Sequence, residues 1–135
     1  MIERALRDEG TSYHYLPSDS EYAAADPVLL VIAETALTNV GDPVERGATW
    51  TTDAPYRETL HAIDAARAEG IWAVEMEAAA RYAFAQARQN AMLCFAHVTK
   101  QMGRSGDFEK GETNGATASL ALIHAVAEAY LPAQS

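Results

Sequence analysis

The segment Ile71-Trp72-Ala73-Val74-Glu75-Met76-Glu77-Ala78-Ala79-Ala80 decides how this chain folds. The short apolar run Ile71 to Val74 reads as a brief strand, and an alanine-rich helix over roughly 77–89 follows it directly. Two carboxylates stand at the junction, two positions apart. In extended backbone, residues i and i+2 share a face, which sets Glu75 and Glu77 on one side and Met76 on the other. A carboxylate in the first helical turn is favoured by the positive end of the helix dipole, so an ordinary acidic helix start explains part of the pattern. The apolar surroundings ask for more. Acids set among Ile71, Trp72, Val74 and an Ala/Tyr/Phe helix are partly buried, and buried carboxylates need donors. An ionised carboxylate only accepts hydrogen bonds, and the cis-diol of a sugar offers two donors.

Working outward, Gly70 closes a helix predicted over about residues 56–69, with Leu60, Ile63 and Arg67 on one side. Val44 to Thr52 is rich in β-branched and aromatic residues and reads as a strand, with Asp53-Ala54-Pro55-Tyr56 as the turn after it. Asp26-Pro27 supplies an N-cap and a first-turn proline. The helix it starts runs through Leu29, Ala33, Ala36, Leu37 and Val40 and stops at Gly41. Thr11 to Leu16 reads as a strand stopped by Pro17, while the charged first ten residues give no clear element. Ala91 to Thr99 is apolar apart from His97, as in an interior strand covered on both faces. Residues 103–114 form a glycine-containing loop, and a last helix, about Ala116 to Leu131, carries Leu120, Ile123, Ala127 and Leu131 at helical spacing.

Strands alternating with helices predict an α/β layered fold with a parallel or mixed sheet, in one domain over residues 1–135. Such sheets hold ligands at the carboxyl ends of their strands. Residues 51–56, 75–77 and 99–102 are therefore the candidate site segments.

Composition narrows the function classes. Hydrophobic residues make up 49% of the chain, which excludes global disorder, and no stretch reaches the roughly 18–20 apolar residues of a membrane span. The N-terminus mixes acids and bases and lacks the form of a signal peptide. Cys94 is the one cysteine, so an intramolecular disulfide is excluded and a cytoplasmic location is expected; its apolar setting reads as packing rather than nucleophile chemistry. The formal charge is −9, from 10 basic and 19 acidic residues, with no basic cluster. That balance argues against a nucleic-acid surface, and a bound anion such as phosphate needs a local site working against the overall field.

Glycine-rich nucleotide loops are absent, as are cysteine pairs and the H-E-x-x-H pattern, so no metal is expected. Of the histidines, His61 and His124 fall within helices, His97 reads as structural, and His14 is open to either a structural or a functional reading. Asp53, Tyr56 and Arg57 place an acid, an aromatic and a base together after a strand. Asp53 has a default role as a helix cap, Tyr56 offers a flat face to a ring, and Arg57 offers a partner to a buried glutamate. Lys100, after the last strand, is either a donor to a base carbonyl or a solvated charge.

Two blocks carry a resemblance. Gly47-Ala48-Thr49-Trp50-Thr51-Thr52-Asp53-Ala54-Pro55-Tyr56-Arg57-Glu58 and the run from Gly70 to Ala80, separated by one helix, resemble the purine/uridine nucleoside phosphorylase family. Arg7 to Leu16, and Gly106 to Glu112 with the final helix, resemble its uridine-phosphorylase-like members. The resemblance covers essentially the whole chain. It implies a three-layer α/β/α fold with a mixed sheet, and a pentosyltransferase that cleaves the N-glycosidic bond of a nucleoside with phosphate, in nucleoside catabolism and purine or uridine salvage. The products are free base and ribose 1-phosphate. Phosphate is a co-substrate, with no cofactor, and the partners implied are nucleoside, phosphate and further copies in a trimer of dimers. By resemblance Glu77 holds the ribose hydroxyls, Met76 packs beneath the sugar, Glu75 supports it, and Tyr56 lies near the base.

Three departures accompany the resemblance. Pro55 stands where many members carry an aromatic. Lys100 stands where purine-specific members carry an aspartate that protonates the base, and a lysine is a poor acid at neutral pH, which tilts the expectation toward uridine-like substrates. Members are also roughly twice as long, and the phosphate loop and phosphate-binding arginines lie in the half that these residues do not match. The chain is therefore expected to match the C-terminal half of the fold, keeping the ribose side and lacking phosphorolytic activity alone. A nucleosidase using water and a non-catalytic nucleoside-binding or assembly module are the alternatives.

Overall fold

The computed structural model describes residues 1–38, 40–41, 43–98 and 115–133. Its chain order is β1 (Ile2–Asp8), a 3-10 turn (Thr11–His14), β2 (Tyr22–Ala24), α1 (Pro27–Leu37) and β3 (Gly47–Thr52). A second 3-10 turn (Pro55–Arg57), α2 (Leu60–Ala68), β4 (Ile71–Glu75), α3 (Ala78–Ala87) and α4 (Ala116–Ala133) complete it. These divide into one unit of residues 1–26 and 45–96, and another of residues 27–44 and 97–135.

The first unit is built on a four-stranded mixed sheet in the order β2-β1-β3-β4. β1 is antiparallel to β2 and parallel to β3, and β3 is parallel to β4. Parallel pairing brings the carboxyl ends of β1, β3 and β4 to one edge: Asp8 lies opposite Thr52, and Thr51 opposite Glu75. Alternation along β3 divides its residues between the two faces. Ala48 and Trp50 join Ile71 in a buried cluster, with Leu6, Val74 and the α2 residues Ala62 and Ala66 packed around it. Thr49 and Thr51 face the other way, toward the start of α3, whose Ala78, Ala79, Tyr82 and Ala83 are buried. Helices thus cover both faces of this sheet, giving the α/β/α layering expected of the sequence. The Tyr82 hydroxyl is buried between β1 and the segment after α3: it donates to the Ile2 carbonyl at 2.6 Å and accepts from the Cys94 N–H at 2.9 Å.

α2 begins at Thr59, whose side chain accepts from the Ala62 N–H, and ends before Gly70 at φ 77°. A left-handed residue at a helix end is where glycine costs least. Asp53, expected as a possible cap, instead accepts from the Gly10 N–H at 3.3 Å and ties the end of β1 to the end of β3.

Two segments differ from the sequence expectation. Thr11–His14 is a 3-10 turn, not a strand. The cause is Arg7, which is 4% exposed on β1. Its guanidinium donates to the Ser12 hydroxyl and to the carbonyls of Leu16, Pro17 and Ser20, and lies 4.1 Å from the centre of the Tyr13 ring. Buried charge must be satisfied, and the loop curls around the cation to do so. The strand of this region is β1 itself, with the short β2 returning beside it. In residues 91–98 the expected interior strand is replaced by irregular chain with one bridge, Cys94 to Ile2. His97 is exposed in this segment, and Thr99 lies outside the described residues.

In the second unit α1 and α4 pack together. α1 buries Leu30, Ala33 and Leu37 at helical spacing. α4 buries Val126, while Leu120, Ile123 and Leu131, which share a stripe in the sequence, are exposed.

Candidate active site

The strand-to-helix junction at Glu75 is held by a dense set of hydrogen bonds. One carboxylate oxygen of Glu75 accepts from the hydroxyls of Thr49 at 2.9 Å and Thr51 at 2.5 Å. The other accepts from the backbone N–H groups of Glu77 at 2.8 Å and Ala78 at 2.6 Å. The Thr51 hydroxyl also accepts from the Ala79 N–H at 3.0 Å. The first amides of α3 have no partners within the helix. Here a charged side chain from the preceding strand and a threonine from the neighbouring strand fill that need, at the positive end of the helix dipole. With its four bonds made inside the protein, Glu75 has its acceptor directions largely occupied and fixes the geometry of the turn into α3.

Met76 and Glu77 make up that turn. The strand ends at Glu75, and Glu77 takes φ −134° and ψ −26° as the residue capping α3. The two carboxylates therefore do not share a face as an uninterrupted strand would require. Glu75 turns into the protein, and Glu77 is exposed, its carboxylate accepting no hydrogen bond from the described residues. Met76 is 50% exposed. An uncommitted acceptor beside an apolar thioether, on a rigid junction, is a surface that can receive hydroxyl groups over a small apolar face.

At the ends of β1 and β3 a second cluster forms. Asp8 accepts from the Trp50 indole N–H at 3.0 Å with one oxygen and from the Arg57 guanidinium at 3.1 Å with the other. Arg57 thus pairs with Asp8, not with a glutamate as the sequence suggested. Tyr56, beside it on the 3-10 turn that Pro55 opens, is 86% exposed. The roles of Thr49, Thr51 and Asp8 were not read from the sequence, although Thr51 fell within a candidate site segment. The period-two threonines of β3 were the available signal for the first two. Asp8 sits in a charged stretch that carried no visible strand pattern. Lys100 lies outside the described residues.

Cys94 is partly buried, and burial pushes its thiol up from the ordinary value. Burial likewise raises the Tyr82 phenol far above its usual range. Neither group is poised for acid–base work. Among the described residues no group of three or more His, Cys, Asp or Glu side chains is placed to hold a metal, and no helix is long and apolar enough to cross a membrane.

Comparison with known proteins gives this arrangement a family. The model of the phosphorylase superfamily matches residues 1–130. The chain belongs to the phosphorylase superfamily. No curated protein matches the sequence. Among solved structures, this superfamily member is similar to the AMP nucleosidase from Bacteroides thetaiotaomicron VPI-5482, with a TM-score of 0.71 and 22% identity over 98% of this chain and 52% of that one. It is also similar to the P. knowlesi homologue of P. falciparum PNP, with a TM-score of 0.55 and 22% identity over 67% of this chain and 38% of that one. The chain spans about half the length of the first of these structures and less of the second. At this identity the likeness establishes the α/β fold with its mixed sheet.

Proposed function

We propose that this chain supplies the ribose-holding side of a site that cleaves the N-glycosidic bond of a nucleoside with phosphate, giving free base and ribose 1-phosphate. The observation that carries the reading is the division of labour at the junction: Glu75 is consumed by four internal hydrogen bonds, while Glu77 is left exposed on the scaffold they build. In this reading Glu77 accepts from the 2′- and 3′-hydroxyls of ribose, and Met76 lies against the sugar. Tyr56 lies beside the base. Bond cleavage builds positive charge on the sugar ring, and a carboxylate fixed beside it favours that charge electrostatically. Glu75 acts through Glu77, by holding the junction rigid.

Hydrolysis by water is the second reading, and one observation favours it. The solved structure matched over 98% of this chain is named an AMP nucleosidase. The test is release of free base from uridine and inosine by the purified chain, followed by chromatography with and without phosphate. Release that requires phosphate supports phosphorolysis, and equal release without it supports hydrolysis. Nucleoside binding without release assigns this chain the ribose side alone. No binding of any nucleoside overturns the reading.

A further inference from the structure

We infer that Arg81, on the first turn of α3, binds a phosphate group beside the ribose held at Glu77. The inference rests on the ribose assignment to Glu77. Two sources share this chemistry, the 5′-phosphate of a nucleotide and free inorganic phosphate, and titration separates them.

Placement is the first support. Arg81 lies one turn after Glu77, and its N–H donates to the Glu77 carbonyl at 3.1 Å. Residues four apart share a helix face, with Cβ atoms about 5–6 Å apart, and helical side chains lean toward the N-terminus. The guanidinium is therefore carried back toward the Glu75–Glu77 junction. The partly buried Cys94 thiol feels the same neighbourhood. Burial raises its pKa most, and after the Tyr82 hydrogen bond the charges that act on it are Arg81, which lowers it, and Glu75 and Glu77, which raise it.

The second support is the state of the side chain. Six other arginines are described, and each has a partner. Arg46, Arg57 and Arg67 pair with acids, Arg4 and Arg88 lie over aromatic rings, and Arg7 is caged by carbonyls. Arg81 is exposed, and its guanidinium has no partner among the described residues. An acid four residues before a base is the favourable order for a helical ion pair, yet Glu77 and Arg81 leave each other open. Together they offer one ligand an acceptor for its hydroxyls and, one turn away, five N–H donors for an anion.

Charge is the third support. The chain carries −9 overall, so an anion needs a local cation. Residues Ala78–Ala87 of α3 include no acid, and the nearby Glu75 carboxylate is already matched by four donors. A planar guanidinium meets two phosphate oxygens at once, which a lysine ammonium does not.

The test is calorimetric titration, in a phosphate-free buffer, of uridine, uridine 5′-monophosphate, and uridine with inorganic phosphate added. The wild-type chain is compared with Arg81→Ala and Arg81→Lys. Arg81 is exposed on a helix surface, so both variants should keep the wild-type thermal midpoint. The wild type is expected to bind a phosphate-bearing form about tenfold or more tighter than uridine alone, the scale of a hydrogen bond between charged groups. Arg81→Ala should abolish that gain and leave uridine within about twofold, with Arg81→Lys in between. A gain for the monophosphate assigns Arg81 to a 5′-phosphate, and a gain only on adding inorganic phosphate assigns it to the co-substrate. A wild type that binds uridine with no gain from either source, a gain that survives Arg81→Ala, or an Arg81→Ala loss equal with and without phosphate overturns this inference and leaves the ribose assignment standing. A wild type that binds none of the three overturns both.

Discussion

Replacing Glu75 by alanine removes the acceptor that joins β3, β4 and α3. Four hydrogen bonds are lost, to the hydroxyls of Thr49 and Thr51 and to the backbone of Glu77 and Ala78. Hydrogen bonds to a charged group contribute about 1.5–3 kcal/mol each when well shielded. The Glu77 amide bond is exposed and the other three are only partly buried, so water recovers much of that. A discounted contribution of about 1 kcal/mol each gives a loss of about 3–4 kcal/mol. Glu75→Gln differs in kind. Its oxygen still accepts from the helix amides, and its NH2 donates to threonine hydroxyls that rotate to accept, which limits the loss to about 1–2 kcal/mol. Urea unfolding followed by the fluorescence of Trp50, 6% exposed within the sheet cluster, measures both. With a slope of roughly 1–1.5 kcal/mol/M for a chain of this size, Glu75→Ala should lower the midpoint by about 2–4 M. The reasoning fails if the alanine variant unfolds within about 0.5 kcal/mol of wild type, or if glutamine is as damaging as alanine.

Thr51→Val keeps the shape and removes both the donor to Glu75 and the acceptor for the Ala79 N–H; a loss of about 1–3 kcal/mol in the same urea experiment is expected. Arg7→Met leaves the carbonyls of Leu16, Pro17 and Ser20 without their shared donor, so limited proteolysis should cut within residues 12–20 much faster than in wild type, and unchanged cutting would contradict the assigned role. Because burial pushes the Cys94 thiol up, its alkylation at neutral pH should be far slower in the folded chain than in urea, with the rate rising only above the pH at which a free thiol reacts. Equal rates in the two conditions would show the thiol to be open.

The sequence made the parts of this fold with strong local patterning visible. The apolar strand Ile71–Val74 and the Asp26-Pro27 helix start stand out by periodicity and capping, and the structure has β4 and α1 there. β1 was not legible because its sequence, Ile2-Glu3-Arg4-Ala5-Leu6-Arg7-Asp8, reads as a charged surface segment. Its one buried cation is compensated by carbonyls up to 13 residues later, a pairing no local window reveals. Thr11–His14 misled in the opposite direction, since β-forming side chains were overruled by the tertiary pull of Arg7. At the candidate site the acidic pair was legible, but the assumption of continuous strand was not sound. One residue of helix capping at Glu77 sends the two carboxylates different ways. The threonine ladder behind Glu75 depends on the β3–β4 register, which no single-strand pattern fixes.

Glu77→Ala tests the central claim most directly, because it removes the proposed ligand group without touching the hydrogen-bonded junction. Calorimetric titration of uridine and inosine into the wild type and this variant, at matched urea midpoints, is the measurement. The account predicts that the midpoint stays within about 0.5 kcal/mol of wild type while nucleoside binding is lost. Nucleoside binding that survives Glu77→Ala at full strength would contradict it.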